Sequence, residues 1–176
     1  MSNKPSVTKI IGLLDKPALL SWANKIGLQG IKLDDYRKKS TESGTNLHKQ
    51  IEDFILYKTP FEDKNLEINF NEFFKNKEIL EVEKKIETDW FQGRLDIKFM
   101  HDGKVFIGDF KSNQKYVYFE NKLQLTAYRM AENCDNVVII SIPDFKIVHS
   151  GIRDFVPYEK ILKCLSFIYT TKESLE

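Results

Sequence analysis

The spacing of apolar residues changes twice along this chain, and that double change limits the architectures open to it. Up to about residue 60 the apolar positions recur every three or four residues. From Ile79 they alternate instead. Leu80, Val82 and Ile86 are interleaved with Glu81, Glu83 and Lys85, and Leu95, Ile97 and Phe99 with Asp96, Lys98 and Met100. The first pattern is that of amphipathic helices, the second that of half-buried strands. His101-Asp-Gly-Lys104 carries the Asp-Gly hairpin signal, with Val105 to Lys111 as the next strand. Helical spacing returns from Phe119 to Glu132 through Leu123, Ala127, Met130 and Ala131. Asn136-Val-Val-Ile-Ile-Ser141 then reads as a buried strand. Lys146 to His149 pairs with it across the Pro143-Asp144 turn, and Ile161, Leu162, Leu165 and Ile168 mark a closing helix.

Within the helical first part, Asp15 is a candidate cap with Pro17 in the first turn, and Leu19, Leu20 and Ala23 form a stripe that stops at Gly27. The charged segment from Asp34 to Glu42 forms a short exposed helix or turn. Gly44-Thr45 opens a second helix carrying Leu47, Ile51, Phe54 and Ile55, and Thr59-Pro60 ends it. The expected order is α-α-β-β-β-α-β-β-α. It describes one α/β domain, a central mixed sheet flanked by helices. Its parts are a helical stretch over 1–60, a core over about 78–150 and a terminal helix over about 157–172.

The 176 residues can close a core of their own. With 27 basic against 26 acidic residues the net charge is +1, so any contact with a polyanion must come from a local patch. The two cysteines, Cys134 and Cys164, are too few for a zinc or iron–sulfur ligand set. No apolar run approaches a membrane span, and the first residues resemble neither a secretory nor a transit signal. A soluble, cytoplasmic protein without a membrane partner is expected.

The strand period also selects the chemistry. Asp109 and Lys111 are two apart and project to one sheet face. Asp96 lies one strand earlier, where pairing about the 101–104 turn sets it near Asp109, and Glu83 reaches the same region from the strand before. Two carboxylates so placed repel each other unless a cation sits between them, and hard oxygen donors suit Mg²⁺ or Mn²⁺. A lysine beside them can hold an attacking water or offset charge developing on a phosphate. On its own an Asp-x-Lys triplet more often makes an exposed ion pair, worth about 0–1 kcal/mol.

The triplet has company. Gly44-Thr-Asn-Leu-His48, Gly93-Arg-Leu-Asp96, Gly108-Asp-Phe-Lys111 with Ser112, and Gln124-Leu-Thr-Ala-Tyr128 follow one another in order. Together they resemble the four blocks of the RecB-type exonucleases in the PD-(D/E)XK nuclease superfamily. The opening Ser6-Val-Thr-Lys-Ile10, with Lys16 and Trp22, is similar to the branch of mitochondrial genome maintenance exonucleases and their phage relatives. The resemblance spans about residues 6 to 132 and implies a restriction-endonuclease-like core. It further implies that Asp96, Asp109, His48 and the Phe110 carbonyl hold one or two Mg²⁺ or Mn²⁺ ions, with Glu83 as an additional ligand. Lys111 is then the catalytic lysine, and Gln124 and Tyr128 position the site or the DNA backbone. Some relatives carry an iron–sulfur cluster on four cysteines, which two cysteines exclude within this chain. No phosphate-binding loop of a helicase motor is present.

The expected activity is that of a metal-dependent deoxyribonuclease, an exonuclease on single-stranded DNA or DNA ends. A structure-specific endonuclease with the same site and a non-catalytic DNA-binding subunit are the alternatives. Lys111, Lys115 and Lys122, interleaved with Tyr116, Tyr118 and Phe119, suit a single strand whose bases stack on rings. Arg94 can meet a phosphate with two donors. Trp22 and Lys25 form a second platform.

Overall fold

The computed structural model describes residues 4–14 and 17–176. Alternation in the middle of the chain produces three consecutive antiparallel strands, β1 (Glu78–Glu87), β2 (Gln92–His101) and β3 (Lys104–Ser112). Helix α5 (Phe119–Glu132) then crosses over and returns the chain to β4 (Val137–Ile142), which lies parallel to β3. β5 (Lys146–Ser150) pairs antiparallel with β4 as expected, giving a five-stranded mixed sheet in the order β1-β2-β3-β4-β5. Four helices precede the sheet: α1 (Val7–Ile11), α2 (Pro17–Leu28), α3 (Leu33–Tyr57) and α4 (Lys64–Phe74). One, α6 (Val156–Leu175), follows it. This α/β arrangement, a mixed sheet flanked by helices, is compatible with a restriction-endonuclease-like core.

The sheet is covered on both faces. On one, Ile97, Phe99, Phe110, Val138, Ile140 and Ile142 pack against Ile51 of α3 and Leu66, Phe70 and Phe74 of α4. On the other, Ile86, Leu95, Ile107, Val137 and Ile139 pack against Leu125 and Tyr128 of α5. The far side of α5 buries Leu123 and Ala127 with α1 and α6. Among the described residues no helix is long and apolar enough to cross a membrane.

Several expectations need correction. Gly27 does not stop α2, which runs to Leu28 before Gly30 turns the chain at φ +72°. Asp15 and Lys16 lie outside the described residues. Gly44 does not open a helix. The charged segment and the apolar one form a single 25-residue α3, which ends where Lys58 adopts a left-handed conformation. A Cβ at Gly44 would meet only Ser112 Oγ at 3.6 Å, an ordinary contact, so space does not demand glycine there. Leu80 faces solvent, because a bulge between Ile79 and Glu81 shifts the register. Two helices are additional to the expected order. α1 is capped by Ser6 Oγ, which accepts the Lys9 N–H, and α4 by Asp63 Oδ1, which accepts the Asn65 N–H at 2.8 Å.

Gly108 is a position where close approach requires glycine. A Cβ there would stand 2.8 Å from Ile97 Cγ2 and 2.9 Å from Ile140 Cδ1. Gly108→Ala should therefore destabilise the fold by about 1–3 kcal/mol through overpacking, read as a lower denaturant midpoint at unchanged slope. It would also push on β3 one residue before Asp109.

Candidate functional site

Leu95 and Ile97 are two apart on β2, yet they pack on opposite faces of the sheet. The alternation of β2 therefore breaks at Asp96. On β1 the break falls at Glu83, whose φ is +48°, a left-handed conformation uncommon for a side chain of this size. The register brackets the two residues, with Val82 opposite Ile97 and Lys84 opposite Leu95. Two neighbouring strands thus lose their period side by side, which frees both carboxylates from ordinary in-or-out placement. Backbone costs of this kind concentrate at functional sites.

Both carboxylates turn toward α3. His48 Nδ1 lies 3.7 Å from Glu83 Oε1 and 3.7 Å from Asp96 Oδ2. One donor atom from each of the three residues falls within 4.8 Å of the others, so His48, Glu83 and Asp96 form a group able to bind a metal ion. Donors about 2.1 Å from an ion stand at most about 4.2 Å apart; His48 Nδ1 already meets that limit with both carboxylates at 3.7 Å, and no pair needs to close by more than about 0.6 Å. The His48 imidazole is held edge-on against the Phe110 ring at 5.8 Å. Burial opposes its charge, but Glu83, Asp96 and Asp109 outweigh that and raise its pKa. Asp96, only 8% exposed, accepts the Phe110 N–H at 2.7 Å. Its pKa is pushed up to about 7, by burial first and then by the neighbouring Asp109 charge.

Asp109 and Lys111 do share the α5 face. Lys111 Nζ lies 2.6 Å from Asp109 Oδ2 and donates to Gln124 Oε1 at 3.1 Å. Gln124 Nε2 donates to the Tyr128 hydroxyl at 2.6 Å, and that hydroxyl reaches Asp109 Oδ1 at 3.4 Å. The ring Lys111–Gln124–Tyr128–Asp109 therefore closes on itself. Burial, reinforced by Asp109, raises the Tyr128 pKa well above its usual value, so the phenol keeps its proton and donates it. Asp109 is 1% exposed, and its Oδ2 has the ammonium close by without a well-aligned hydrogen bond. A buried oxygen left in that state has capacity for a further cation. The chemistry of the set is hard-oxygen and imidazole donors with a cation alongside, which suits a divalent metal ion.

Glu83 belongs to the three-residue group, whereas Asp109 stands next to it, engaged with Lys111. Phe110 meets the site through its N–H and its ring. Glu81 does not compete with Glu83. It pairs with Lys84 and Lys98, which also hold Glu132 at the end of α5.

The expected nucleic-acid contacts are dispersed. Arg94 sits beside the group, with Nη1 3.2 Å from Glu83 Oε2. Lys115, Tyr116 and Tyr118 are exposed on the loop after β3 and, with Ser112, Asn113 and Gln114, line a cleft of about 350 Å³. Phe119 packs against Tyr158 of α6 at 5.7 Å. Lys122, two positions before Gln124, lies on the other flank of α5, where its charge acts on His149 of β5. Trp22 packs edge-on against Tyr36 at 5.4 Å, and Lys25 is exposed on the same α2. A larger cleft, about 620 Å³, opens from Asp96, Gln124 and Tyr128 toward Thr8, Lys85 and Arg94. Nothing in the sequence marks Thr8 or Lys85 as a site residue. Only the β1–β2 register brings Lys85 beside Arg94, and no local motif announces it.

No family model matches this chain, and no curated protein matches it by sequence. Among solved structures it is similar to the protein SSO0001, with 15% identity, 96% of this chain and 77% of that one covered, and a TM-score of 0.48. It is also similar to a phage-related exonuclease from Haemophilus somnus 129PT, with 16% identity, 98% and 96% covered, and a TM-score of 0.38. At these scores the functional reading rests on the chain's own side chains.

Proposed function

We propose that this chain is a metal-dependent deoxyribonuclease, acting as an exonuclease on single-stranded DNA or DNA ends. The observation that carries the reading is the convergence of His48, Glu83 and Asp96 within 4.8 Å, where two strands break their period, next to the buried Asp109–Lys111 pair. His48, Glu83 and Asp96 would hold a divalent cation, with Asp109 completing the negative side. Bound there, Mg²⁺ or Mn²⁺ supplies a lowered pKa for water and neutralises charge on phosphate oxygens.

The chain's own residues do the rest. Burial works against the Lys111 charge, but Asp109 and Asp96 raise its pKa, so it remains an ammonium at neutral pH. It therefore serves as a donor that orients a water and offsets phosphorane charge, not as a base. Gln124 and Tyr128 fix the positions of Lys111 and Asp109 through the hydrogen-bonded ring.

End-labelled linear single strands should be degraded in Mn²⁺ or Mg²⁺, and circular single strands should stay intact. EDTA should abolish the reaction, and excess Mn²⁺ should restore it. Cleaved circles would replace the exonuclease with an endonuclease of the same site. Binding without cleavage in either metal would leave a DNA-binding subunit.

A further inference from the structure

The register of β1 on β2 places Lys85 directly opposite Arg94. Like charges across a strand pair destabilise it, and among the described residues no carboxylate pairs with both. Arg94 has Glu83 on one of its nitrogens. Lys85 is exposed and makes no ion pair among the described residues, whereas its neighbour Lys84 is held by Glu81 and Glu132. The nearby Glu87 carboxylate is already occupied by Lys4 at 2.6 Å. Both cations, Lys85 without an ion pair and Arg94 held only through one nitrogen by Glu83, line the 620 Å³ cleft, which also takes in Asp96, Gln124 and Tyr128. The exposed Thr8 hydroxyl lines the same cleft.

We infer that this cleft is a subsite for a single nucleic-acid strand, in which Lys85 and Arg94 grip the phosphate next to the one at the metal group. The inference rests on the proposed nuclease reading and adds the path of the strand. Its physical reason is that an anion between the two cations turns a cross-strand repulsion into two charge-assisted contacts. The cleft volume is that of a small-ligand pocket. It accommodates a short run of one strand. After β3, the Lys115–Tyr118 loop offers rings and a cation for the strand's continuation.

The test compares wild type, Lys85→Ala, Lys85→Glu and a control, Lys146→Ala on the distant edge strand β5. Each is assayed in Mn²⁺ on a labelled twelve-nucleotide single strand across a range of salt. Lys85→Ala should raise KM about tenfold with kcat within about twofold, and Lys85→Glu should raise it further. The slope of log KM against log salt should fall by about one, the signature of one lost phosphate contact. Lys146→Ala should match wild type. Anisotropy binding of the same strand in Ca²⁺ gives an independent reading, with affinity reduced in the same order. Wild-type KM, salt slope and affinity in both Lys85 variants would overturn the subsite while leaving the nuclease intact. Metal-dependent cleavage absent from wild type, with Lys85-dependent binding present, would overturn the nuclease and leave the subsite.

Discussion

Lys111→Ala should lower kcat on single-stranded DNA by about a hundred- to ten-thousandfold, the range for removing one positioned donor or proton-handling group. Strand affinity and the metal-dependent rise in melting temperature should survive. The separation follows from geometry. Lys111 contacts Asp109 and Gln124 but none of the three residues that form the cation group. On the proposed reading its loss therefore removes a charge at the reacting phosphate and leaves the His48, Glu83 and Asp96 set in place. Alanine also leaves Asp109 Oδ2 buried without its cation, which costs stability. A second variant, Lys111→Arg, keeps the charge while misplacing the donor, and should fold normally with most of the activity still lost. Full activity in either variant, with intact melting behaviour, would remove Lys111 from the mechanism. A loss confined to KM would make it a strand contact only.

How much of this site could be read from the chain alone depends on which physical rule governs each residue. β3, α5, β4 and β5 follow from apolar spacing, so Asp109 and Lys111 on one face, and Gln124 and Tyr128 on one helix flank, are legible from the sequence alone. Glu83 and Asp96 obey no period. Their usefulness comes from breaking it, through a positive φ on β1 and a change of face on β2. Alternation therefore could not tell Glu83 from Glu81, nor show that Glu83 and not Asp109 joins His48. Helix α4 escaped for another reason. Its Asn- and Phe-rich sequence has modest helix propensity, and its form is imposed by Phe70 and Phe74 entering a cluster of rings with Phe61, Phe99 and Phe145. In α3 the burial of Leu47, Ile51 and Phe54 over a long helix outweighs the roughly 1 kcal/mol penalty of Gly44.

Asp96→Asn should make the metal-free protein more stable at neutral pH while making it blind to Mn²⁺. In the folded protein the Asp96 carboxyl titrates near 7, against an ordinary value of 3.8. Between those values the folded state holds a proton that the unfolded chain has released. Stability of the metal-free protein therefore falls as pH rises from about 4 to about 7. His48, with its raised pKa, acts in the same direction, since its stabilising charge is present below 6.5 and lost as pH rises through the folded value. The Asp96 displacement corresponds to roughly 4 kcal/mol at most. Asparagine also surrenders the attraction of Asp96 to His48 and Lys111, which reduces the net gain to about 1–3 kcal/mol. Asparagine retains an oxygen for the Phe110 N–H, so the local hydrogen bond persists. In EDTA at pH 7.5 the variant should melt about 5 °C above wild type, and the difference should shrink toward pH 5. Saturating Mn²⁺ should then reverse the order, because binding at a thousand times Kd adds about 4.1 kcal/mol to wild type and nothing to the variant. A variant that melts below wild type in EDTA would show that the Asp96 charge supports the fold without a cation. The buried acids would then be structural ion-pair partners of His48 and Lys111, and the case for a metal-dependent nuclease would lose its central observation.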